Sequence, residues 1–82
     1  MPSQSAPRYD AAAEYQEGVA QLKAGDYDKA TRSFRNSLSV APRNASVQYL
    51  LGLTYIKLGN YKKAAKPLAN AVKYDDNLID AH

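Results

Sequence analysis

Apolar residues recur one helical turn apart along most of the chain, and the pattern is written twice. Tyr15, Val19 and Leu22 stand at i, i+4 and i+7, and Tyr49, Leu53 and Ile56 repeat that spacing further on. Such intervals place the three residues of each set on one face of a helix. A second stripe follows each set: Tyr27, Ala30, Phe34 and Leu38, then Tyr61, Ala64, Leu68 and Val72. Their spacing is again helical, and all eight are expected to be buried. Four helices are predicted.

The residues between the stripes punctuate them. Gly25 and Gly59 stop the first and third helices, because glycine accepts the left-handed conformation at a helix end. Asp26 and Asn60 follow at once, and both are good N-caps. Pro42 ends the second helix, and Asn44 can cap the third. These connections are too short for anything but antiparallel neighbours.

The two halves also match residue by residue. GDYDKA at 25–30 returns as GNYKKA at 59–64. With the chain slid along itself by that interval, nine positions are identical: Ala11/Ala45, Tyr15/Tyr49, Gly18/Gly52, Lys23/Lys57, Gly25/Gly59, Tyr27/Tyr61, Lys29/Lys63, Ala30/Ala64 and Asn36/Asn70. Val19/Leu53, Leu22/Ile56, Asp26/Asn60, Arg32/Lys66, Phe34/Leu68 and Leu38/Val72 keep their character. A fixed period of this size signals a stacked repeat architecture. Gly18 and Gly52 lie inside helices, where glycine costs ~1 kcal/mol relative to alanine. Close approach of Ala30 and Ala64 is the expected compensation, with the rings of Tyr27 and Phe34 beside them. Pro67 falls past the first turn of the fourth helix and is expected to bend it without breaking it.

These residues resemble the tetratricopeptide repeat, a helix–turn–helix unit with this same period. In the first unit the likeness rests on Gly18, Gly25, Tyr27, Ala30, Phe34, Leu38 and Pro42. In the second it rests on Leu51, Gly52, Tyr55, Gly59, Tyr61, Ala64, Leu68 and Ala71. The resemblance implies an all-α fold of tandem helix–turn–helix repeats, an α-solenoid fragment of about four antiparallel helices. The expected organisation is a disordered lead-in over 1–10, repeats over 11–44 and 45–78, and a stub of a third repeat or a tail over 79–82. The lead-in could equally be the remnant of a removed targeting segment.

Departures from the family pattern carry information. Glu14, Glu17 and Gln21 stand where the second unit has Gln48, Leu51 and Tyr55. A polar stripe there is expected of a terminal repeat, so the first unit reads as the start of the array. At the other end Asp76 replaces the usual proline, Asn77 can cap, and Leu78 to His82 resemble the opening of a third unit. Either the chain is a fragment of a longer repeat protein, the favoured reading, or the short tail is all there is. The face of the fourth helix bearing Ala65, Leu68, Ala69 and Val72 would then be partly uncovered. It is open to dimerisation or helix exchange.

Composition narrows the function. Cysteine is absent, which removes disulfides, thiolate metal sites and thiol nucleophiles and fits a cytosol or a periplasm equally. No apolar run approaches a membrane span, and the N-terminus has no signal-peptide core. The only histidine is His82, no metal-ligand spacing occurs, and no nucleophile has a base in plausible reach. Asp75 and Asp76 read as turn formers, and no glycine-rich phosphate loop exists. Neither catalysis nor a cofactor is expected. Asn44-Ala45-Ser46 matches the glycosylation pattern, but a helix cap explains Asn44 better.

The remaining candidate is a surface. By resemblance, the first helices of stacked repeats line a concave face bearing Tyr15, Val19, Leu22, Lys23, Tyr49, Leu53, Ile56 and Lys57. The tyrosines and lysines are expected to be exposed there. Family members that clamp the acidic tails of heat-shock chaperones carry lysine and asparagine at the positions of Tyr15 and Val19. Here the groove is aromatic and aliphatic, which points to an apolar or amphipathic peptide segment of a protein partner, with Lys23 and Lys57 favouring an acidic residue in it. Two other readings stand beside this one. The chain could self-associate through its apolar faces. Alternatively, Lys29, Arg32, Arg35, Lys62, Lys63, Lys66 and Lys73 could bind nucleic acid or an acidic surface, although a net charge of +3 is weak for nucleic acid.

Overall fold

Asp10 sets the start of the first helix. Its carboxylate accepts hydrogen bonds from the backbone N–H groups of Ala12 and Ala13 at 3.0 and 3.1 Å, satisfying two of the donors that a helix start leaves free. In the computed structural model, which describes residues 8–75, α1 runs Ala11–Lys23, α2 Tyr27–Val40, α3 Ala45–Lys57 and α4 Tyr61–Tyr74. The expectations for 1–7 and for Asp76, Asn77, Leu78 and His82 lie outside the described residues.

The same turn joins α1 to α2 and α3 to α4. Gly25 and Gly59 have φ of +83° and +78°, the left-handed region where a side chain is strained. The Asp26 N–H donates to the Gln21 carbonyl and the Gly25 N–H to Leu22; Asn60 and Gly59 donate likewise to Tyr55 and Ile56. This paired closure satisfies carbonyls left over at the end of each helix. The caps that follow differ. The Asn60 side chain accepts from the Lys63 N–H at 3.2 Å, whereas Asp26 holds the cap position without a side-chain hydrogen bond. Asn44 accepts from the Val47 N–H at 3.1 Å, as its reading as a cap requires.

Each helix packs on its neighbour in sequence: α1 on α2, α2 on α3, α3 on α4. Ala30, Phe34, Val47 and Leu51 form the core between the two pairs, with Tyr15, Val19, Leu22, Leu38, Leu50 and Tyr55 packed around it. The helical glycines serve this packing chiefly through the large side chains opposite them. A Cβ on Gly18 would meet the Phe34 ring at 2.5 Å, and one on Gly52 would meet the Leu68 side chain at 2.6 Å. Gly18 is therefore a notch for Phe34 and Gly52 one for Leu68, and at Gly52 the Ala64 carbonyl oxygen also stands near, 3.4 Å from such a Cβ, as the expected close approach at that alanine requires.

The eight stripe residues are not all buried. Tyr27, Leu38 and Leu68 are half-buried, while Tyr61 is 69% and Val72 52% exposed. The two exposed residues belong to α4, which among the described residues packs mainly on α3, whereas α2 lies between α1 and α3. Pro67 is buried inside α4, and the helix continues through it to Tyr74, so the helix is not broken.

The polar stripe of α1 is partly tied to α2. Asn36 donates to the Glu14 carboxylate at 3.2 Å, and the Ser33 hydroxyl donates to the Gln21 side chain at 2.7 Å. Ser37 donates to the Ala11 carbonyl at 2.8 Å. In α3, Gln48 and Leu51, the counterparts of Glu14 and Glu17, are buried. The Gln48 amide donates to the Pro42 carbonyl at 2.9 Å. Every buried side-chain nitrogen and oxygen among the described residues has a partner, as a well-packed interior demands.

Candidate functional site

Three helices leave an apolar groove of about 630 Å³ between them. Tyr15 of α1 forms one wall. The first turns of α3 supply Ala45, Tyr49 and Leu50, and the last turns of α4 supply Leu68, Ala71 and Val72. Ser46 and Asp75 are its polar lining. The volume lies within the range of ligand pockets, which are mainly apolar with few polar groups.

Local sequence explains the opening. Tyr49 follows the capped start of α3 by one turn and is 49% exposed. Leu68 and Val72 continue the apolar stripe of α4 beyond Ala64, on a helix with one main packing partner among the described residues. About half the surface of Tyr49 and of Val72 is thus free for contact, while the Tyr15 ring is held against the core. Rigid aromatic walls of this kind offer large contact area at small entropic cost.

The eight residues named from sequence divide along the helices. Tyr15 and Tyr49 line the groove. Val19 and Leu22 pack against the core, and Leu53 is half-buried. Ile56, Lys23 and Lys57 are exposed. The lysines lie two helical turns beyond their tyrosines, about 12 Å along the helix, and do not line the groove. Tyr15 is more buried than expected, because its ring completes the core beside Val19 and Leu22.

Leu50, Leu68, Ala71 and Val72 line the groove without having been singled out for it by the pattern of the first helices. One signal was present: Leu50 replaces Gln16 at the equivalent position, an apolar residue where the first unit has an exposed polar one. The uncovered stripe of α4 was the other, but its junction with the concave face is not visible in the spacing.

Comparison with known proteins bears on the repeat. The family model described as tetratricopeptide repeat matches residues 15–77. The chain belongs to the tetratricopeptide repeat family. No curated protein matches it. Tetratricopeptide repeats are typically non-catalytic, and membership suggests a protein–protein interaction module with protein partners. Among the described residues no helix is long and apolar enough to cross a membrane.

Proposed function

We propose that this tetratricopeptide repeat chain binds an amphipathic peptide segment of a protein partner in the groove between α1, α3 and α4. The observation that carries the reading is the pairing of the repeat-related Tyr15 and Tyr49 with Leu68 and Val72 around one apolar opening. A helix laid in such a groove is read through apolar anchors at i, i+3 or i+4, and i+7. Lys57 lies about 12 Å along α3 from Tyr49 and would favour an acidic residue flanking the anchors.

The test is selection of displayed peptides on the native chain. Enriched peptides should carry apolar anchors at helical spacing. They should weaken at least about tenfold on a Tyr49→Glu, Val72→Glu double variant, since the lost contacts lie at the centre of the interface. Both residues are exposed over about half their surface, so the variant should keep the native helical circular dichroism. Tyr61→Glu, on an exposed residue outside the groove, should leave binding unchanged. Peptides that bind the double variant as well as the native chain would overturn the assignment. A concentration-dependent mass lost in the same double variant would replace it with self-association.

A further inference from the structure

A second depression, of about 400 Å³, crosses the junction of the two repeats and shares no lining residue with the apolar groove. Its chemistry is different. Arg32 and Arg35 come from one face of α2, and Lys63 comes from the first turn of α4. Tyr55 and Leu58, at the end of α3, add an apolar strip between these cations. Asp28 is the only carboxylate among the lining residues. In sequence the two arginines belong to the first repeat and Lys63 to the second, and the stacking of the repeats brings them to one cavity.

We propose that this depression receives an acidic segment of a protein partner, distinct from the peptide in the apolar groove. Arg32 and Arg35, at i and i+3, project from the same helical face. Guanidinium groups match carboxylates in a bidentate geometry. Lys63 on the other wall takes a second carboxylate, and an apolar side chain between the two rests on Tyr55 and Leu58. The ligand chemistry is therefore two acidic residues flanking an apolar one. A nucleic acid fits less well: Asp28 lines the same space, and three cations in a short depression do not form the continuous basic track that a phosphate backbone follows.

The experiment uses a fluorescein-labelled peptide of two glutamates, one leucine and two glutamates, with fluorescence anisotropy as the readout. An Arg32→Glu, Arg35→Glu double variant should weaken its binding at least about tenfold, as should Lys63→Glu, because like charges then face the peptide. Asp28→Asn should tighten it about two- to threefold by removing the one repulsive carboxylate. Lys73→Glu makes the same charge change about 15 Å along α4 from Lys63 and should alter binding by less than about twofold after screening. All five of these side chains are exposed, and equal circular dichroism and melting would verify that each variant folds. The proposal is overturned if Lys73→Glu weakens binding as much as the Arg32 and Arg35 changes, which would mean general charge attraction. It is overturned equally if the native chain shows no saturable binding to the peptide, or if a single-stranded oligonucleotide competes for the same three residues more tightly.

Discussion

A methyl group added at Gly18 would arrive 2.5 Å from a ring carbon of Phe34, which is fully buried. Alanine would gain about 1 kcal/mol of helix propensity there, but overpacking a closed core costs about 1–3 kcal/mol. Phe34 has Ala30, Val47 and Leu51 around it and little room to yield. Gly18→Ala should therefore destabilise the chain by a net of up to about 2 kcal/mol in urea denaturation. Gly52→Ala meets Leu68 instead, whose side chain borders the open groove and can turn into it. It should cost less, and an equal or larger loss at Gly52 would refute this account of the two notches. That glycine stood inside the helices was legible in the sequence. Which residue filled the notch was not, because helical spacing gives the face a residue is on but not the depth to which its neighbour reaches.

At the scale of the element, α4 is the helix whose sequence and surroundings disagree. Its stripe has the spacing of α2, yet Val72 is exposed where the equivalent Leu38 packs on the core. Burial depends on the neighbour, and spacing alone does not reveal where neighbours stop. Pro67 adds a second conflict. It cannot donate to the Lys63 carbonyl one turn back, and proline in a helix interior costs about 3 kcal/mol. Its buried ring returns part of that, about 0.8 kcal/mol for each CH₂ removed from water. Pro67→Ala should raise stability by about 1–2 kcal/mol, the propensity gain less the lost burial. A loss of stability in thermal or urea unfolding would show instead that the ring is essential to the packing of α4 on α3. The presence of the four helices and the turns at Gly25 and Gly59 were readable from periodicity and punctuation, because those signals are local.

For the whole molecule, the arrangement is close to one-dimensional. Each helix packs mainly on its sequence neighbours. In such arrays stability is roughly a sum of unit terms and nearest-neighbour interfaces. α2 and α3 each have two main neighbours, while α1 and α4 each have one among the described residues. The most buried side chains follow the same order: Phe34 in α2 and Val47 and Thr54 in α3 are inaccessible, whereas α4 buries Ala64, Pro67 and Ala71. The groove lies where, among the described residues, α4 has no second main neighbour, so the apolar surface available for a partner and the lower burial of α4 share one cause. Amide hydrogen exchange on the chain should read this directly. Protection should be greatest in α2 and α3 and lower in α4, because local opening is cheapest where few apolar contacts must break. A peptide bound between α1, α3 and α4 should raise protection in the last turns of α4 more than in α2, since it covers Leu68, Ala71 and Val72. Equal protection of α2 and α4 in the free chain would mean that the stack opens as one unit and that nearest-neighbour packing does not set its stability.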